Sequence, residues 1–356
     1  MNKVTIIWLN YNSSSFIDVV IESLKNFLNL DYDNYELIIV DNASTDGSFE
    51  KIVKYAETHK PNSVVVKYIQ ADRNLGYAGG MNIGWEARDP ESKYVAFVNN
   101  DLVPRPESLS KLIEYLEYDE KSVATSGLLY TGDGRTIYSA GLYLDENMSV
   151  VVPCGGLPLS ECPSAKKMQF ITYADGAFLV AKVDAIKRYG FDGKPFIDET
   201  FLYADDNLLG LRLWNSNFKI IYAPVEAGIH YMSLTSKKVG TIGYYPIRGK
   251  FVAYAFIKTR YYDIRYLYYQ RVKITSYILC KSNFKNYCKI YKAVTEGYGL
   301  GKDLARRYGY LELYKAPYIR SKKIPTLINV FLPIRSISRY LQKAKPLSHS
   351  DAVFPI

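Results

Sequence analysis

Apolar and polar positions along the first part of the chain alternate in blocks rather than singly. Lys3–Leu9 (KVTIIWL), Tyr35–Val40 (YELIIV), Val64–Ile69 (VVVKYI) and Lys93–Val98 (KYVAFV) are short apolar runs rich in β-branched residues, the signature of strands. Between them apolar residues recur at helical spacing, as in Phe16, Val19, Val20, Leu24, Phe27 and Leu28. The segments FEKIVKYAETH, NLGYAGGMNIGWEA and PESLSKLIEYLEY continue the alternation as helices. Strands alternating with helices predict an α/β fold with a mainly parallel central sheet. Because the strands are continuously apolar, both faces of that sheet are expected to be covered.

In such sheets ligands bind beyond the carboxyl ends of the strands. Four polar stretches stand there: NYN (Asn10–Asn12), DNASTDG (Asp41–Gly47), ADRNLGYAGGMN (Ala71–Asn82) and NND (Asn99–Asp101). Taken singly, each has a local explanation, since Asp41 and Asn42 suit the capping of the segment that follows. Four in succession at one sheet edge describe a site instead. GYAGGMN is too loose for a dinucleotide fingerprint and follows the third run rather than the first, which argues against a Rossmann dehydrogenase.

The 356 residues suffice for one large domain or a domain with an appendage, and 48% hydrophobic with 23% charged residues is ordinary for a globular chain. The 34 Tyr are not ordinary, and they have no single reading. No apolar run is long enough to span a membrane, and the chain enters a strand-like segment at once, so a cytoplasmic protein is expected. Cys154, Cys162, Cys280 and Cys288 form two pairs with seven residues between, a spacing of no common zinc site; unpaired thiols are expected. The net charge of +9 conceals a division. Residues 1–230 hold 21 Lys+Arg against 31 Asp+Glu, a charge of −10, and residues 231–356 hold 24 against 5, a charge of +19. This break divides the chain into a first domain, 1–245, and a basic, Tyr-rich region, 246–356, which should face something anionic, nucleic acid or an acidic membrane.

The succession VTIIWLNYN, ELIIVDNASTDGS, NLGYAGGMNIG, YVAFVNNDLVP, then DGAFLVAKVDAIKRYGFDGKPFIDETFLYADDNLLGLRL and APVEAGIHY resembles the inverting family-two glycosyltransferases of GT-A fold. It is most similar to their rhamnosyltransferase-like group. The resemblance implies transfer of a sugar from a nucleotide diphosphate-sugar of UDP or dTDP type to a hydroxyl of a glycan or lipid-linked acceptor. It also implies that 1–245 is the catalytic domain and that a divalent cation, Mg2+ or Mn2+, takes part; past Ile247 the resemblance fades, and helical spacing predicts a mostly helical extension. Asn10, Tyr11 and Asp41 then correspond to the base and ribose pocket, where a carboxylate suits an imide N–H. Arg73, Gly76, Gly79, Gly80 and Asn82 correspond to the wall at the diphosphate and donor, glycine allowing close approach and arginine a two-pronged grip on phosphate. Asn99, Asn100 and Asp101 match the family's Asp-x-Asp metal motif with its first Asp replaced, and His230 stands where relatives place a histidine ligand.

Inversion requires a base to deprotonate the acceptor hydroxyl. YADDNLLGLRL aligns with the family's Glu-Asp segment opening a helix, so Asp206 is assigned as base with Asp205 its close second; helix capping is the alternative. Asp175 is expected near the donor sugar or acceptor, and Arg248, with the Tyr-Tyr before it, in a helix closing over the donor. His59 and His349 are expected at the surface. Beyond, TRYYDIRYLYYQRVKITSYILCKSNFKNYCKIYKAV is basic and aromatic at helical spacing, suiting a peripheral contact with the inner face of a membrane, a solvated helical face or a homo-oligomer interface. A nucleic-acid binder would leave the acidic strand ends unexplained. A non-catalytic nucleotide-sugar-binding protein would not need Asp205 and Asp206.

Overall fold

A computed structural model describes residues 1–231, 243–282, 284–320 and 352–353. The β-branched runs form β1 (Val4–Asn10), β2 (Tyr35–Asp41), β3 (Val65–Gln70) and β4 (Tyr94–Asn99). Then follow β5 (Leu102–Pro104), β6 (Ser122–Thr131), β7 (Ile137–Ser139), a small ribbon of β8 (Tyr143–Leu144) with β9 (Val150–Val151), β10 (Gln169–Phe170), β11 (Phe178–Lys182) and β12 (Lys219–His230). The main sheet runs β10-β12-β6-β11-β4-β1-β2-β3, with β5 added to β12 and β7 to β6. Its β4-β1-β2-β3 half is parallel, whereas β11 lies antiparallel between β4 and β6.

The helices are α1 (Ile17–Phe27), α2 (Ser48–His59), α3 (Gly76–Glu86), α4 (Ser108–Tyr118), α5 (Val183–Tyr189), α6 (Asp205–Asn215), α7 (Tyr244–Phe256), α8 (Tyr262–Lys281) and α9 (Lys285–Tyr308). Alternate β1 residues enter opposite cores. Val4, Ile6 and Trp8 pack with Val20, Leu24 and Phe27 of α1 and Leu109 and Leu112 of α4, while Ile7 packs with Met81 and Trp85 of α3. Each such side chain removed from water contributes about 1.5–3 kcal/mol, so both faces are covered as the continuous runs require. The exception is β3, an edge strand only partly shielded.

The core on the α3 side continues through Leu208, Leu211 and Trp214 of α6 into Phe251, Val252 and Phe256 of α7 and Val294 and Leu304 of α9. The composition break near residue 245 therefore crosses a shared core. Much of the Tyr excess lies here: Tyr269 of α8 stacks on Tyr298 of α9 at 3.8 Å between centroids. The buried Arg265 guanidinium lies 5.4 Å from the Tyr254 ring and donates to the Ile257 carbonyl at 2.6 Å. Its burial among aromatic rings pulls its pKa down to about 10.

The cysteines depart from expectation. Cys154 is joined to Cys162, and Cys280 at the end of α8 to Cys288 in the first turns of α9. Spacing alone does not reveal whether the chain between two cysteines turns back on itself, and here it does both times. Among the described residues no helix is long and apolar enough to cross a membrane.

The α7–α9 crossing depends on two glycines one turn apart. A Cβ at Gly297 would stand 2.3 Å from the Arg248 carbonyl oxygen, and one at Gly301 2.4 Å from that of Val252. Backbone cannot yield as a flexible side chain does, so Gly301→Val should cost about 3 kcal/mol or more in thermal denaturation. Gly299 faces open space, and Gly299→Ala should be neutral or stabilising by up to about 1 kcal/mol. Equal melting of the two variants would contradict this account of the crossing.

Candidate active site

Strand register brings the polar ends together, because Asn10 pairs with Asp41 across β1 and β2, and Leu9 with Asn99 across β1 and β4. Asn10 is buried and joins three segments: its Nδ2 donates to Asp41 Oδ1 at 2.8 Å, and its Oδ1 accepts from Asn100 Nδ2 at 2.9 Å and Ser13 Oγ at 2.6 Å. Asp41 also accepts from the Ser44 hydroxyl at 2.6 Å and the Ser44 amide at 2.8 Å, so both its oxygens are engaged in shaping the 41–48 turn. Tyr11 is half-buried beside this network. Asn42 ties the β2 end to the next loop, donating to the Gly76 carbonyl at 2.8 Å and accepting from the Leu75 amide at 2.9 Å. Asn42, Ser44 and Ser48 went unassigned as site residues; the Ser- and Asp-rich turn is their only signal in the sequence.

The glycines of α3 are occupied by protein. Gly76 has φ +70°, and a Cβ there would lie 2.0 Å from the Phe201 carbonyl oxygen; one at Gly80 would meet Leu9 at 2.5 Å and one at Gly79 Leu75 at 2.7 Å. Asn82 is buried and donates to the Phe196 carbonyl at 2.8 Å and Asp198 Oδ1 at 2.7 Å. Arg73 is exposed at a cavity of about 440 Å³ that Leu75, Gly79, Asn82, Lys194 and Phe201 also line.

Asp101 and His230 are 129 residues apart in sequence and meet because β12 runs antiparallel to β5, pairing His230 with Leu102. Both are buried, with His230 Nε2 3.1 Å from Asp101 Oδ1. Burial pulls the His230 pKa down, but the hydrogen bond to Asp101 and the charges of Asp101 and Asp175 outweigh it and the net shift is upward. The Tyr138 ring meets the imidazole edge-on at 4.6 Å, and His230 Nδ1 is buried without a hydrogen bond. The carboxylate oxygen is a donor that suits Mn2+ or Mg2+, whereas the imidazole nitrogen beside it is a softer donor less suited to Mg2+. Among the described residues no three candidate ligands converge, so a cation here would draw its other ligands from water and a bound anion. His59 lies at the exposed end of α2, and His349 lies outside the described residues.

Three further carboxylates cluster at the start of α6. Asp205 is buried and accepts from the Thr200 hydroxyl; burial pushes its carboxyl up to about 8, with the neighbouring Asp206 adding to the shift and the Thr200 hydrogen bond opposing it. Asp206 is half-buried and accepts from the Gly176 amide at 3.2 Å and the Asn207 amide at 2.8 Å. Burial, with the Asp175 charge adding, pushes it up to about 7 against those hydrogen bonds. Asp175 is likewise raised by burial, against the pull of His230. Tyr77 donates to the Gly176 carbonyl at 2.8 Å, and burial with the charges of Asp206, Asp205 and Asp175 holds its hydroxyl far above the usual range. The charges of Asp175, Asp206 and Asp101 likewise raise Tyr138.

The turn presenting these acids is strained: Phe201, Tyr203 and Ala204 have φ of 65°, 67° and 72°, a region unfavourable for side-chain-bearing residues. Arg248 of α7 holds it, donating to the Thr200 carbonyl at 2.8 Å and the Glu199 carbonyl at 2.7 Å, while Tyr245 stacks on Phe201 at 4.8 Å. Arg307 of α9 reaches Asp192 and, at 3.2 Å, Glu199, but this group is about half exposed and contributes little. Arg248 thus faces the acid-bearing turn. Tyr77, Tyr138 and Thr200 had no distinguishing signal in a chain so rich in Tyr and hydroxyl residues.

Residues 5–153 match the family described as Glycosyl transferase family 2. An uncharacterized glycosyltransferase of Haemophilus influenzae is 29% identical over 126 residues, 35% of this chain and 36% of that protein. A teichoic acid poly(glycerol phosphate) polymerase of Staphylococcus epidermidis is 33% identical over 129 residues, 36% of this chain and 16% of that protein. The chain thus spans about a third or less of these relatives' lengths. A mannosyltransferase from Pyrobaculum calidifontis, solved with GDP-Man and Mn2+, superposes with a TM-score of 0.51 at 15% identity, covering 86% of this chain and 87% of that one, and so shares the GT-A fold.

Raised carboxyl pKa values have a sign that can be tested. Asp205 and Asp206 keep their protons in the folded chain at pH values where the unfolded chain has lost them, so stability should fall as pH rises from about 4 toward 8. Asp205→Asn keeps an oxygen for Thr200 and removes the charge. It should melt about 2–6 °C above the wild type at pH 8, with a smaller gap at pH 5. A gap that does not depend on pH would refute the assignment of a raised pKa.

Proposed function

The chain carries a glycosyl transferase family 2 domain, and from that premise we propose that it moves a sugar from a nucleotide diphosphate-sugar of UDP or dTDP type to a hydroxyl of a glycan or lipid-linked acceptor, with inversion, in a single displacement. The observation that carries this reading is the pair of carboxyls at the start of α6, raised to about 7 and about 8, where a general base works best near neutral pH. A protein that only bound nucleotide sugars would gain nothing from holding such a destabilised pair.

Asp206 takes the acceptor proton, being the less buried residue of the two, and Asp205, locked to Thr200, supports it. Asp175 couples electrostatically both to this base and to His230, which supports a reacting centre among the three. Asn10, Tyr11 and Asp41 form the base and ribose pocket, with Asp41 holding the 41–48 turn in shape. Arg73 faces the diphosphate side, Asn100 joins the base and ribose pocket through its hydrogen bond to Asn10, and Gly76, Gly79 and Gly80 form the wall beside the donor, with Gly80 setting how closely α3 approaches β1. Asp101 and His230 would hold a Mg2+ or Mn2+, which when bound offsets the charge of the departing diphosphate.

A panel of UDP-, dTDP- and GDP-sugars, scored by thermal shift with Mn2+ and then by transfer or hydrolysis, tests the reading. Asp206→Asn should lower transfer by about 10²–10⁴-fold while donor binding stays close to wild type. Wild-type transfer should rise with pH through about 7 as Asp206 ionises. If Asp205→Asn is the inactive variant and Asp206→Asn is active, the two roles are exchanged; if both are active, the base lies elsewhere.

Asp101→Ala should lower turnover by about 10²-fold or more and uncouple donor binding from Mn2+. Near-normal turnover that still requires metal would remove Asp101 from the metal site.

A further inference from the structure

The inward face of α8 is consumed by packing: Arg265, Tyr269, Val272 and Ser276 are buried against α7 and α9. Its outward face is not. Leu267, Ile274 and Ile278, together with Phe284 in the turn that follows, are each 54–57% exposed, and Tyr266 and Tyr277 are 43% and 46% exposed. Positions 267, 274 and 278 fall on one stripe of the helix, with Tyr266 and Tyr277 along its edge. The Cys280–Cys288 disulfide ties the end of this stripe to α9, which fixes the turn that carries Phe284.

Scattered exposed apolar residues need no explanation, but three on one face of a helix, with a fourth in the turn that follows, do. The stripe lies in the basic part of the chain, where residues 246–320 hold 16 Lys+Arg against 4 Asp+Glu. Lys281 and Lys289 are exposed at its end, and Lys292 lies one turn further along α9 at 67% exposure. A second copy of the chain would bring like charges face to face, which disfavours self-association through this surface. Single-stranded nucleic acid wants aromatic platforms, and Leu267, Ile274 and Ile278 cannot stack on bases. Apolar side chains flanked by tyrosines and long cationic side chains match the boundary layer of an anionic bilayer, where aliphatic groups enter the acyl region, tyrosines sit at headgroup level and lysines reach phosphate.

We propose that the outward face of α8, Leu267, Ile274, Tyr277 and Ile278 with Phe284 beyond it, docks in the interfacial layer of an anionic lipid bilayer, held there electrostatically by Lys281 and Lys289. Docking of this kind suits an acceptor carried on a lipid, a consequence that rests on the transfer reading above; the docking itself does not.

The test is co-sedimentation of the full chain with vesicles of phosphatidylcholine alone or of equimolar phosphatidylcholine and phosphatidylglycerol across a salt series. The wild type should bind the anionic vesicles at low salt and be released as salt rises, with weak binding to neutral ones. Ile274→Glu with Ile278→Glu, and separately Lys281→Glu with Lys289→Glu, should each weaken anionic binding by about tenfold or more. Because these side chains are exposed, both pairs should keep the wild-type Tm, and nucleotide-sugar thermal shifts should be unchanged. Failure of the wild type to bind anionic vesicles overturns the proposal, as does undiminished binding by the isoleucine pair. So does a wild-type dimer, seen by light scattering, that the isoleucine pair dissociates, since the stripe would then be a self-interface. Displacement from vesicles by a single-stranded oligonucleotide, with the isoleucine pair binding that oligonucleotide as well as the wild type does, would also overturn it.

Discussion

A carboxylate taken out of water must be hydrogen-bonded, matched by positive charge or protonated, and the sheet edge of this protein removes several of them at once. They are treated differently. Asp41 receives donors on both oxygens, and Asp101 meets His230. Asp175, Asp205 and Asp206 share a few amides and one hydroxyl among three carboxyls, and their pKa values rise accordingly. The cost of holding them is met by the two apolar cores that cover the sheet, and the return is a pair of carboxyls, Asp205 and Asp206, that can exchange protons near neutral pH.

That cluster does not hold itself in place. The turn before α6 has three residues with positive φ, and the groups that constrain it come from far along the chain: Arg248 hydrogen-bonds its carbonyls and Tyr245 stacks on Phe201. α7 is in turn set by α9, whose Gly297 and Gly301 admit the backbone of Arg248 and Val252. The basic helical region is thus continuous with the acidic part through packing, although its composition is opposite. Its tyrosines serve the packing of α8 on α9, with Tyr269 stacked inward on Tyr298 and the half-exposed Tyr266 and Tyr277 along the seam beside Tyr298 and Tyr291.

Whatever depends on local pattern was legible in the chain. Continuous β-branched runs gave β1 to β4 within a residue or two of their ends, and the rule that ligands gather beyond strand ends marked the stretches Asn10–Asn12, Asp41–Gly47, Ala71–Asn82 and Asn99–Asp101, within which the family resemblance picked out individual residues. Gly76 and Gly80 each exclude a side chain because Phe201 or Leu9 approaches them, a protein partner that the expected wall at the donor does not by itself predict. A sequence states that a Cβ is missing and does not state what fills the space.

Only the tertiary structure decided which distant residues meet. The pairing of Asp101 with His230 depends on the antiparallel register of β12 on β5, the disulfides depend on turns that bring Cys154 to Cys162 and Cys280 to Cys288, and Arg248 reaches Thr200 only through the α7–α9 crossing. The raised pKa values of Asp205 and Asp206 belong to this class as well, since desolvation is set by everything packed around a carboxyl and not by its neighbours in the chain. Residue identity and spacing determine what a segment is able to do; register, burial and packing over long separations determine which of those abilities the folded chain keeps.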